Sequence, residues 1–198
     1  PDASLLLITG SPTITMLRGL PPNTDYVKIP TIVTSGLVGA RPPMLGVGLA
    51  EVSCLRAQII RQTLLTFAPD VLLVDNFPLG SRLELLPSLQ ELRRGPTRIL
   101  LGLRDIADPP ERVQADWTRD GIYEVLDRYY DRILIYGVRE VLDAARAYAL
   151  SQRVAAKVRY CGYVTANRKP QRPRAAVRKE LRVNGRLVVA TVGGGGDG

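Results

Sequence analysis

Short apolar runs alternate along this chain with segments of helical period. Leu5–Thr9 (LLLIT) ends at Gly10, and Tyr26–Ile29 is closed by Pro30. Val71–Val74, Ile99–Leu103, Arg132–Tyr136, Val158–Cys161 and Leu187–Val192 follow. Runs of this length and apolarity predict strands covered on both faces. Between them, Val52, Leu55, Ile59, Ile60, Leu64 and Phe67 share one broad face over Glu51–Phe67 at about 100° per residue, the mark of an amphipathic helix. Leu85, Leu89 and Leu92 stripe a helix running to Arg94, with Pro87 near its start. Val113–Thr118 and Ile122–Tyr129 read as two helical pieces separated by Asp120-Gly121, and Val141, Leu142, Ala145 and Tyr148 mark another. Gly36–Gly48, with four glycines and two prolines, reads as a loop. Strands joined through helices need crossover connections. The predicted fold is α/β, a Rossmann-like open parallel sheet with helices on both faces.

Composition narrows the chemistry. The 198 residues are 45% hydrophobic and 23% charged, ordinary for a globular protein. No run approaches the roughly 18–20 apolar residues that span a bilayer. Histidine is absent. A Ser-His-Asp triad, a Cys-His pair and a histidine-ligated metal are therefore excluded. Cys54 and Cys161 form no CxxC pair and read as reduced core thiols of a cytoplasmic protein.

The net charge of +8 is unevenly placed. Gln152–Arg186 carries 11 Lys/Arg against Glu180 alone, while the rest of the chain has 16 basic and 18 acidic residues. Asn167–Lys179 combines two prolines with six basic residues, the composition of a solvated linker. It lacks interleaved aromatics, so nucleic acid is not the expected partner. An anionic lipid or the inner face of the membrane suits its charge better. The expected organisation is a domain over residues 1–164, a basic linker over 165–186, and the first strand and glycine loop of a second domain over 187–198, with both ends cut from something longer.

Ligands of such sheets bind beyond the carboxyl ends of the strands. The segments Gly10-Ser11-Pro12, Asp75 to Gly80, Gly102-Leu103-Arg104-Asp105 and Tyr136-Gly137, each at the end of its strand, should therefore lie along one edge. The last strand runs into Gly193-Gly194-Gly195-Gly196-Asp197-Gly198, a layout able to cradle a diphosphate on backbone N–H groups, or else a plain glycine tail. Arg104-Asp105 reads either as a surface pair or helix cap, or as an anion contact beside a hydroxyl-binding carboxylate. Asp75 is likewise a turn former or a substrate-facing carboxylate. Arg56 falls in the centre of the apolar stripe and must either snorkel or pair with a carboxylate. Glu84 lies near a helix start, where the dipole favours it. Trp117, Tyr129 and Tyr130 read as core and rim packing.

The strings PDVLLVDNFPLG, ELLPSLQELR, RILLGLRDIADPPERVQADW, YYDRILIYG, KVRYCGYV and VVATVGGGGDG resemble bacterial glycosyltransferases related to glycosyltransferase family 28, the MurG-type N-acetylglucosaminyltransferases. The resemblance runs from Leu5 to Gly198 and implies the N-terminal half of a two-Rossmann GT-B enzyme. The family's Gly-rich, His-containing loop would precede Pro1, and most of the donor domain would follow Gly198. The implied activity is inverting, metal-independent transfer of a sugar from a nucleotide-sugar cosubstrate, a UDP-sugar for preference, to an acceptor of anionic or lipid-linked character, with no further cofactor. On this reading Asp105 and Asp75 are the catalytic candidates. Arg104, Gly10, Gly80 and Arg56 are acceptor-binding, and Gly193, Gly194, Gly195, Gly196, Asp197 and Gly198 bind the donor diphosphate. Two alternatives stay open, a non-catalytic acceptor-recruiting half of a split transferase and a nucleotide-binding oxidoreductase or epimerase.

Overall fold

The computed structural model describes residues 3–14, 20–35, 39–41, 45–164 and 172–188. The fold is Rossmann-like α/β, with parallel-strand sheets flanked by helices. Strand β1 (Leu5–Thr9) pairs in parallel with β2 (Thr24–Lys28). Strands β3 (Val33–Ser35) and β4 (Gly39–Arg41) form an antiparallel ladder, of which β4 lies inside the Gly36–Gly48 stretch expected to be loop. Among the described residues that ladder has three residue pairs.

Helix α1 (Leu49–Phe67) starts after Gly48, with Glu51 in its first turn where the dipole favours a carboxylate. It ends at Ala68, whose left-handed backbone (φ 47°) turns its N–H to the Leu64 carbonyl. Its buried stripe is Val52, Arg56, Ile60 and Leu64, narrower than the periodicity predicts, and Leu55 and Phe67 stay exposed.

Then β5 (Val71–Asp75), α2 (Leu86–Leu92), β6 (Arg98–Arg104), α3 (Pro110–Arg119), α4 (Ile122–Tyr129), β7 (Arg132–Tyr136), α5 (Ala144–Ala147), α6 (Gln152–Ala155) and β8 (Val158–Tyr160) alternate. Gly121, at φ 67°, makes the left-handed break between α3 and α4. Strands β5-β6-β7-β8 form one parallel sheet in chain order. Every crossover therefore advances in the same direction, and right-handed crossovers place the intervening helices on one face. That face is the core: Val74, Ile99, Leu101, Leu103, Ile133 and Ile135 pack with Leu89, Leu126, Tyr130 and Tyr148 in one cluster. Each fully buried aliphatic side chain here contributes about 1.5–3 kcal/mol. Residues of opposite parity face the other way. Among them, Val71 and Leu73 are 51% and 52% exposed, so this face is only thinly covered among the described residues.

Two further expectations are corrected. The helix read over Val141–Tyr148 is one turn, α5, because the Asp143 carboxylate caps the Arg146 N–H and starts the helix there. Cys54 and Cys161 are free and exposed, not core thiols. Cys54 lies on the side of α1 away from its Val52–Arg56–Ile60–Leu64 stripe, and Cys161 lies just past the end of β8. Within the basic segment expected to be linker, α7 (Arg174–Glu180) is helical with no buried residue. Leu187 and Val188 belong to no strand, and the remainder of Leu187–Val192 lies outside the described residues.

The chain divides into two compact units, Pro1–Val164 and Thr165–Gly198. Among the described residues no helix is long and apolar enough to cross a membrane.

Candidate functional site

The carboxyl edge of the four-stranded sheet gathers several polar residues at the strand ends. Asp75 closes β5, Arg104 closes β6 and Tyr136 closes β7. Asp75 lies opposite Gly102, and Arg104 opposite Tyr136. Since directly opposed residues share a face, Asp75, Gly102, Arg104 and Tyr136 stand together on the thinly covered side. Beyond β5 the Asn76 N–H donates to the Gly102 carbonyl at 2.7 Å. Asn76 takes a left-handed backbone (φ 61°), which asparagine tolerates, and so turns the chain away.

Gly102 explains how these residues meet. A Cβ at this position would sit 1.9 Å from the Tyr136 hydroxyl and 2.5 Å from its ring Cζ. The bare glycine lets the Tyr136 ring cross β6 toward Asp75. Burial, then the Asp75 carboxylate, then Cys161 raise the Tyr136 hydroxyl above the ordinary tyrosine range. The Asp75 side chain has no hydrogen-bond partner among the described residues.

Asp105 sits one step further out and organises the loop. Its Oδ1 accepts the Ile106 N–H at 2.8 Å. Its Cβ fills the space that a side chain at Gly137 would need, 2.4 Å away. The Tyr163 hydroxyl is pushed up by donating to the Asp105 carboxylate, with burial adding to the shift. From below, the buried Tyr148 hydroxyl donates to the Asp105 carbonyl and accepts the Ala107 N–H, both at 3.1 Å. Trp117 and Tyr123 extend this aromatic support, with ring centroids 5.6 Å (Trp117–Tyr148) and 5.7 Å (Trp117–Tyr123) apart. The loop after β6 is thus held from two sides. Arg104 is exposed, with no carboxylate partner among the described residues.

The other named candidates meet elsewhere. Arg56 is 6% exposed, and its guanidinium donates to Glu84 and to the Pro30 carbonyl. A Cβ at Gly10 would lie 2.7 Å from Arg56 Nη1, and one at Gly80 (φ 73°) would lie 2.8 Å from Glu84 Cγ. Gly10, Gly80, Arg56 and Glu84 therefore form one buried knot joining the end of β1, helix α1 and the loop before α2. Beside it lies a hollow of about 380 Å³ lined by Lys28, Ile29, Pro30, Thr31, Leu45 and Ile59. Lys28 is held below the ordinary lysine range by burial and by Arg56, and its ammonium donates to the Ile29 carbonyl and the Thr31 hydroxyl. Gly193 to Gly198 lie outside the described residues.

Sequence reasoning places Tyr136 at the carboxyl edge without giving it a role, and assigns no site role to Tyr148 or Tyr163. An isolated glycine inside the apolar strand Ile99–Leu103 was the available signal, since it marks a close approach. Comparisons with protein-family models, with curated proteins and with solved structures yield no match for this chain.

Proposed function

We propose that this chain supplies the acceptor side of an inverting, metal-independent glycosyltransferase that uses a nucleotide-sugar donor. One observation carries the reading. An exposed carboxylate without a protein partner, Asp75, stands beside the Tyr136 hydroxyl at the carboxyl edge of a parallel sheet, where ligands of such folds bind. The sequence resemblance supports the same class.

In the proposed reaction an acceptor hydroxyl oxygen attacks the anomeric carbon of the donor. The bond from that carbon to the diphosphate oxygen breaks, and the hydroxyl proton passes to Asp75. Tyr136 donates a hydrogen bond to the attacking oxygen or its neighbour. Arg104 holds an anionic group of the acceptor. Asp105 acts indirectly, by fixing the loop that carries Arg104. Asp75 is preferred to Asp105 as the proton acceptor in this reading because the Asp105 carboxylate already accepts the Ile106 N–H. The glycine run Gly193–Gly198 is assigned to the leaving diphosphate on its sequence alone.

The test is calorimetry and nucleoside-diphosphate release on the natural full-length protein with UDP-, GDP- and TDP-sugars, water serving as the fallback acceptor. Expected are binding of one donor class and a loss of about 100-fold or more in kcat on Asp75→Asn. Arg104→Ala should act mainly on acceptor KM. Binding of NAD with no nucleotide-sugar binding overturns the reading, and so does an Asp75→Asn variant within threefold of the parent.

A further inference from the structure

Most of the chain's net charge lies in one stretch of the second unit. Residues 165–188 hold eight Lys/Arg and one acid, +7 of the total +8. Glu180, the single acid, is paired with Arg172. Arg174, Arg178, Lys179, Arg182 and Arg186 have no carboxylate partner among the described residues. Helix α7 buries nothing. Leu181, which caps it, is 62% exposed, and Val188 beyond it is 89% exposed. At about 100° per residue Arg174 and Arg178 form one stripe, and Val177 and Leu181 form the adjoining stripe. Basic side chains therefore flank exposed aliphatic ones.

We infer that residues 172–188 dock on an anionic bilayer surface, with the guanidinium and ammonium groups at lipid phosphates and Leu181 entering the interface. A second copy of the segment is repelled by its like charge. A nucleic acid would satisfy the charge but leave the aliphatics in water, and residues 165–188 contain no aromatic on which a base could stack. This inference is independent of the glycosyltransferase reading.

The experiment is flotation of the full chain with vesicles of 30% phosphatidylglycerol in phosphatidylcholine, set against pure phosphatidylcholine vesicles and a single-stranded oligonucleotide. Expected is binding to the anionic vesicles only, released by 0.5 M salt. Replacing Arg174, Arg178 and Lys179 together by glutamine should weaken it about 100-fold, near fivefold per charge. Leu181→Ser should weaken it about tenfold through lost apolar burial. All four positions are exposed or half-buried, and circular dichroism checks that the variants keep the parent fold. The inference is overturned by equal binding to neutral vesicles, by no binding to anionic ones, by a triple variant that binds like the parent, or by tighter binding to the oligonucleotide.

Discussion

The Arg56 guanidinium grips the Glu84 carboxylate with two hydrogen bonds, Nε to Oε2 at 2.5 Å and Nη2 to Oε1 at 2.6 Å, both residues being buried. The pair bridges helix α1 and the loop before α2, and through Pro30 it reaches the segment after β2. Desolvating two charges offsets most of their attraction, so the intact pair adds little net stability. Breaking it is another matter. Glu84→Gln leaves a buried guanidinium without its counter-charge and should cost about 3–5 kcal/mol in urea unfolding. The double variant Arg56→Met, Glu84→Leu should recover most of that loss. A Glu84→Gln cost below about 1 kcal/mol would show that the guanidinium finds water.

Gly102→Ala tests how Tyr136 reaches Asp75. The new methyl collides with the far end of a flexible side chain, so the ring should swing off β6 while the sheet persists. The stability cost should be about 1–3 kcal/mol, typical of overpacking. Released from burial and from the Asp75 field, Tyr136 should titrate at lower pH, nearer the ordinary tyrosine value. Ultraviolet phenolate titration of the variant, with Tyr136→Phe to assign the step, reads this directly. An unmoved titration would mean that the ring stays where it is.

Parts of this molecule were legible in the sequence for identifiable reasons. Strands β6 and β7 announce themselves because short apolar runs end at Arg104 and Gly137, and the α3–α4 break is written in Asp120-Gly121. The carboxyl-edge placement of Asp75 and Arg104 follows from strand order alone. Side-chain partnerships across long separations do not. Arg56 stands out on its helical face, yet nothing local names Glu84, 28 residues away, as its partner. The same holds for Gly10 and Gly80, whose missing side chains make room for that pair. Helix α5 is short because a one-residue competition, the Asp143 side chain capping Arg146, outweighs an apolar period of eight residues.

Ser88 is buried at 1% exposure in the face of α2 that meets the core, and its hydroxyl has no hydrogen-bond partner among the described residues. An unsatisfied buried hydroxyl costs about 1–3 kcal/mol, and alanine is also the better helix former by a few tenths to about 0.5 kcal/mol. Ser88→Ala should therefore stabilise the chain by about 1 kcal/mol, seen as a higher urea midpoint at unchanged slope. A destabilised variant would reveal a bridging water or a rotated hydroxyl bonded to the helix backbone.

Asp131 ties the start of β6 to the end of α2. Its Oδ2 accepts the Ile99 N–H and its Oδ1 the Arg93 guanidinium, each at 2.8 Å. Burial acts to raise the carboxyl, but the Ile99 N–H and the Arg93 and Arg98 charges outweigh it and hold the group below the usual aspartate range. A carboxyl depressed in the folded state binds its proton more tightly when unfolded. Its stabilising effect is present above the unfolded value of about 3.9 and fades as pH falls through the lower folded value. Asp131→Asn keeps an acceptor for Ile99 but loses the charge. The stability gap between parent and variant should be constant near neutrality and narrow from about pH 4 downward. Urea titrations at stepped acid pH measure that gap, and a gap independent of pH would show that the Asp131 charge contributes nothing to holding β6 in place.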